Sequence, residues 1–154
     1  MKLQKNDSIA LESKKDYVSV IIAGQLFGIP VSQVREILSV QTITPIPLAP
    51  KKVAGALNLR GRVVTAINLH SMLNLSYYSD ELPPINVVVE HKDELYSLMI
   101  ESVIDVIQVP CHKIEKIPQT LDDVWKNIAD GVFYDDGKIM VMMNINALLT
   151  NDNL

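Results

Sequence analysis

The chain has 154 residues, is 48% hydrophobic, and carries a formal net charge of −4 with one cysteine. That length and apolar content can bury one sizeable core. The scattered basic residues exclude the phosphate-neutralising surface of a general nucleic-acid binder, and a single cysteine excludes an internal disulfide framework and suits a reducing cytoplasm.

In chain order, residues 1–14 are polar and charged and predict a flexible tail without an apolar stretch of signal-peptide length. No later run reaches the roughly 18 apolar residues of a membrane span, so direct membrane insertion is not expected. Tyr17–Ile22 is β-branched and partly alternating. Gly24 then supplies a turn into Leu26–Ile29, the pattern of a hairpin. Pro50–Gly55 predicts one or two helical turns, with Pro at the start and Gly as the stop. Arg60-Gly61 marks a second hairpin turn, leading into Val63–Ile67, and Ser71–Leu75 predicts a terminal turn of helix. Ser76–Pro84, polar and ended by prolines, predicts a connector.

Beyond it, Val87–Val89, the polar turn His91–Glu94 and Leu95–Ile100 predict a third hairpin. Thr120–Ala129 predicts the best helix. Thr120 can cap it, Asp122 and Asp123 suit its first turn, Leu121, Val124, Trp125 and Ile128 share one face, and Gly131 ends it. Asp136-Gly137 predicts a last hairpin turn into Ile139–Met143, with Asn146–Leu149 a terminal turn.

The two halves resemble each other. Leu26–Leu38 matches Leu95–Ile107 at an offset of 69, and Ala54–Val64 matches Asp130–Met140 at an offset of 76. The period is too long, and the copies too few, for a solenoid of short repeats. Duplicated short strands predict an all-β fold of two small barrels, approximately residues 15–78 and 84–150, within one domain over 15–150. Differences between the copies are the first place to look for function.

No catalytic signature emerges. His70, His91, His112 and Cys111 are scattered, and no Cys-x-x-Cys or His-x-x-x-His spacing exists to hold a metal. The nucleophile-elbow string and the phosphate-cradling glycine strings are absent too. No enzyme activity, metal or cofactor is therefore expected. What stands out is Arg60 before a turn glycine, where the second copy has Asp136. A turn arginine can simply be solvated. Alternatively its planar fork pairs with a carboxylate, either Glu36 or one on a partner. Val31, Val34 and Ile37, with Val103 and Val106 at the equivalents of the last two, either pack in the core or line a groove fit for a helical partner.

These residues carry a family resemblance. Phe27-Gly28-Ile29-Pro30-Val31, Val34-Arg35-Glu36-Ile37, and the string from Pro45 through Asn58-Leu59-Arg60-Gly61-Arg62-Val63-Val64 resemble the CheW family of bacterial chemotaxis coupling proteins. The likeness runs in order over roughly residues 15–150. It implies two intertwined five-stranded SH3-like barrels, with strands exchanged between them, and a few short helices. It also implies a non-enzymatic adaptor linking the hairpin tips of methyl-accepting chemoreceptors to the CheW-like regulatory domain of the histidine kinase CheA. Such an adaptor is cytoplasmic and recruited to membrane-associated arrays. The resemblance makes Val31, Val34, Glu36, Ile37, Asn58, Leu59 and Arg60 receptor-facing, with Val103 and Val106 across the groove and Gly55 and Gly61 as structural turns. The sequence departs from common family choices at Thr65, Asn68, His70 and Ser97. An alternative is a module of a related system, such as twitching motility, that sequesters receptor or kinase without activating it.

Overall fold

Two-residue turns organise the backbone. Ala23-Gly24, Arg60-Gly61, Lys92-Asp93 and Asp136-Gly137 all have positive φ at both residues, between 49° and 84°. Such turns follow the right-handed twist of the strands they join. They connect β1 (Lys14–Ile22) to β2 (Gln25–Pro30), β4 (Val53–Leu59) to β5 (Arg62–Ile67), β6 (Ile85–His91) to β7 (Glu94–Ile100), and β9 (Ala129–Asp135) to β10 (Lys138–Met143). β3 (Val34–Leu38) and β8 (Ser102–Pro110) complete the strands. The structure, a computed structural model, describes residues 13–39, 41–73, 84–121 and 123–150. Residues 1–12 of the expected tail, 76–83 of the expected connector, Leu75 and Asp122 lie outside the described residues. Lys14, placed in the tail by sequence, is the first residue of β1.

The strands form two five-stranded sheets, ordered β8-β1-β2-β10-β9 and β3-β6-β7-β5-β4. The two orders are the same once each half's strands are matched to its copy. Neither sheet is built from one half: the hairpin β1-β2 sits with the second half's β8, β9 and β10, and β6-β7 sits with β3, β4 and β5. Exchange is sealed by parallel pairing of β2 with β10 and of β5 with β7.

Three apolar clusters follow. The largest lies between the sheets and includes Val20, Phe27, Ile67, Val87, Leu98 and Val141, all nearly inaccessible. Smaller clusters fill each sheet's own concave side, one around Tyr17, Val109, Met140 and Met142, the other around Leu57, Val64, Val88 and Leu95. Strands that face both a private and a shared core need apolar residues on both sides, which is why their sequences do not alternate strictly.

The helices are short. α1 (Leu69–Met72) and α3 (Ile145–Leu148) begin at Asn68 and Asn144, whose side-chain oxygens accept the N–H groups of Ser71 and Ala147. The departure at Asn68 thus retains a capping oxygen. α2 (Asp123–Ile128) is shorter than the expected Thr120–Ala129. Thr120 lies in a preceding turn, Ala129 pairs with Met143, and Gly131 is inside β9 rather than at a helix end. The helical turn expected at Pro50–Gly55 is a β-turn closed by the Val53 N–H on the Pro50 carbonyl, after which Val53 pairs with Ile67. In both places strand pairing outcompetes a local helical preference.

Candidate docking site

The Arg60-Gly61 turn is held by its own sequence. Asn58 Oδ1 accepts the Gly61 N–H at 2.8 Å, which favours the tight reversal. From that turn Arg60 reaches β3: its Nη1 donates to Glu36 Oε2 at 2.8 Å and its Nη2 to Glu36 Oε1 at 2.5 Å. The pairing is the bidentate fork that fixes orientation as well as charge. Both groups are at the surface. The hydrogen bonds from Arg60 hold the Glu36 carboxyl below the usual glutamate range, opposed by slight desolvation and aided by the Arg60 charge. The same bonds, with the Glu36 charge, push the Arg60 guanidinium up.

A second ion pair stands beside the first. Arg35 Nε donates to Glu90 Oε2 at 2.7 Å. The register slips between Val34 and Glu36, so Arg35 is the extra residue of a β-bulge. The bulge lets neighbouring Arg35 and Glu36 line the same small groove, of about 290 Å³, together with Leu59, Arg62, Glu90 and Leu95. Sequence reasoning did not select Arg35, Arg62, Glu90 or Leu95. The offset of 69 held the signal, since it sets the charged Arg35 and Glu90 against Ile104 and Ile21.

The other expected site residues divide. Ile37 is 44% exposed on β3. Val31, Val34 and Val103 are partly buried and pack on the central core, so their first role is structural. Val106 is 56% exposed but belongs to β8, an edge of the other sheet. Gly61 is in the turn, as expected. Gly55 is not in a turn: it lies within β4 at φ 153°, where a Cβ would strike the Thr44 carbonyl oxygen and come within 2.8 Å of Ile43 Cγ2. The Thr44–Ala56 backbone bridge depends on that close approach.

Two of the scattered histidines have ordinary partners. His70 Nε2 is 3.3 Å from Glu101 Oε1, and His91 Nδ1 is 3.1 Å from Asn146 Oδ1. Among the described residues no group of three His, Cys, Asp or Glu side chains could hold a metal ion. No described helix is long and apolar enough to cross a membrane.

Comparison with known proteins bears on this arrangement. The family model of the CheW-like domain matches residues 16–153. The chain belongs to the CheW-like domain family. Among relatives of this CheW-like chain, the chemotaxis protein CheW of Treponema pallidum (strain Nichols) is 28% identical over 141 residues, covering 89% of this chain and 83% of that protein. The chemotaxis protein CheW of Rhizobium meliloti (strain 1021) is 23% identical, covering 90% and 89%. The crystal structure of the scaffolding protein TtCheW from Thermoanaerobacter tengcongensis superposes with a TM-score of 0.80 at 24% identity, covering 90% of this chain and 95% of that one. The two exchanged barrels of this CheW-like chain are therefore a shared fold, SH3-like in each barrel.

Proposed function

We propose that this CheW-like chain is a non-enzymatic adaptor of bacterial chemotaxis, coupling methyl-accepting chemoreceptors to the histidine kinase CheA within one domain of two exchanged barrels. The observation that carries the reading is the Glu36–Arg60 fork. It presents a preorganised, oriented charge pair at an exposed turn, in the string that bears the family resemblance. The receptor's cytoplasmic hairpin tip docks against Glu36, Ile37, Asn58, Leu59 and Arg60, with Val31, Val34, Val103 and Val106 supplying apolar walls. The kinase's CheW-like regulatory domain binds elsewhere on the same molecule. No cofactor takes part, and the work is done by contacts alone, strengthened by avidity in a membrane-associated array on the cytoplasmic side.

The test is reconstitution. Receptor-bearing membranes, kinase and this protein are mixed, and kinase autophosphorylation is followed. Stimulation that requires all three components supports coupling. Binding to receptor or kinase without stimulation would instead assign the sequestering role of a related chemosensory system.

A further inference from the structure

The chain passes from one sheet to the other at two equivalent places, from β2 to β3 in the first half and from β7 to β8 in the second. The first passage takes a short helical turn, Val31–Gln33. The second takes a single residue, Glu101. Its N–H donates to the Ile21 carbonyl at 3.0 Å, and its Oε1 accepts the Ala23 N–H of the β1-β2 turn at 2.6 Å. His70 Nε2, on α1, stands 3.3 Å from the same oxygen, with a side chain only 11% exposed. α1 follows β5, a strand of the sheet that holds β7, whereas the β1-β2 turn belongs to the sheet that holds β8. One carboxylate oxygen thus ties the passage to an element of each barrel.

The other passage has a related but weaker junction. By the offset of 76, His70 corresponds to Asn146. Asn146 Oδ1 lies 3.1 Å from His91 Nδ1 and accepts from Gln33 Nε2 at 3.4 Å. Helix, hairpin and passage again meet on one oxygen, here supplied by α3. Asn146 is exposed, so water competes for these amide contacts. Glu101 offers a carboxylate to a backbone N–H and a buried histidine, the stronger and shorter class of hydrogen bond.

This junction lies at the root of the docking groove. Val103 and Val106 are on β8, just beyond Glu101, whereas Val34 and Ile37 are on β3 of the other sheet. With one wall on each barrel, the groove's width follows the placement of one barrel against the other. The apolar core between the sheets is non-directional and does not by itself fix that placement. Directed hydrogen bonds at the passage do.

We propose that Glu101 is a positioning residue: by holding His70 and the Ala23 turn on one oxygen, it sets the β8 wall of the groove at its distance from the β3 wall before a partner arrives. A groove already set lowers the ordering cost of docking. What the groove receives rests on the adaptor reading above, whereas how its walls are held does not.

Two spin labels measure the walls directly. With Cys111→Ser removing the native thiol, labels at Ile37→Cys and Val106→Cys report the distance between β3 and β8 by pulsed electron resonance. Glu101→Met keeps the bulk and loses the acceptor, and is expected to broaden or shift the distance distribution. Glu101→Gln keeps an acceptor oxygen and is expected to retain the parent's narrow one. In unlabelled protein, Glu101→Met is expected to bind a receptor-tip fragment about fivefold more weakly, with Glu101→Gln close to the parent. A Met variant with the parent's distribution, or a Gln variant as broad as the Met, overturns the proposal. A broadened Met distribution with unchanged fragment affinity upholds the positioning role and removes the receptor from this groove. If Glu101→Met does not fold, His70→Leu takes away one donor and leaves the carboxylate. It is expected to broaden the distribution, and a parent-like result overturns the proposal.

Discussion

Arg60 and Glu36, 24 residues apart in sequence, join the turn beyond one outer strand of a sheet to the outer strand at its opposite end. The hydrogen-bonded strand order runs from β3 to β4 the long way round, and this side-chain fork spans the short way. A charge pair that helps close a barrel and also faces outward links fold to docking surface.

The pair has a pH signature. Because the Glu36 carboxyl is depressed in the folded protein, its stabilising contribution is present above the unfolded glutamate value of about 4.3 and is lost as pH falls through the lower folded value. An NMR titration of Glu36 is expected to give a midpoint below that of an ordinary glutamate, returning to the usual range in Arg60→Gln. A midpoint that ignores the substitution would show that the fork does not persist in solution.

Arg60→Glu sets two carboxylates against each other at the turn. Receptor affinity is expected to fall about tenfold or more, while the melting temperature changes little because the substituted Arg60 side chain is exposed. Calorimetric titration against a receptor tip fragment reads the first quantity and thermal denaturation the second. Unchanged affinity would remove Arg60 from the docking surface.

Val34 and Ile37 separate packing from contact. Val34 is partly buried against the central core, so Val34→Asp is expected to destabilise the fold by about 2–4 kcal/mol. Its effect on receptor binding is then not separable from unfolding. Ile37, largely outside the core, is the cleaner probe: Ile37→Asp should leave denaturant midpoints near wild type and weaken receptor binding. Equal loss of stability in both would place Ile37 in the core as well.

Ser97 explains one departure from the family pattern. Its hydroxyl donates to Asn86 Oδ1 at 2.8 Å, and both residues are buried. The equivalent of Ser97 in the first copy is Gly28, where an added Cβ would come within 3.1 Å of the Met140 side chain. The residues corresponding to Met140 and Met142 are Val64 and Ala66, both smaller than methionine. Ser97→Ala is expected to cost about 1–3 kcal/mol by leaving the Asn86 oxygen without that donor. Urea denaturation measures the loss, and a neutral substitution would mean that water or another group replaces the bond.

Much of the fold was legible because it is local. Glycines after Ala23, Arg60 and Asp136, flanked by strand formers, mark the hairpins, since few residues tolerate the backbone those turns require. Helices were overread at Pro50–Gly55 and Thr120–Ala129 because capping and face periodicity are local as well, whereas the strands that claimed those residues find partners far along the chain. The Glu36–Arg60 pair was one of the alternatives that the sequence left open. The Arg35–Glu90 pair was missed, because only a bulge brings Arg35 and Glu36 to one groove.

By itself, the sequence determined a duplicated all-β chain, its hairpin turns, and the string that marks its family. Those properties depend on residues close together and on the backbone angles each residue allows. The tertiary structure alone decided which half supplies which sheet and that Gly55 serves a close strand approach. Such choices depend on which surfaces meet once distant strands have paired, and no neighbouring residues encode them.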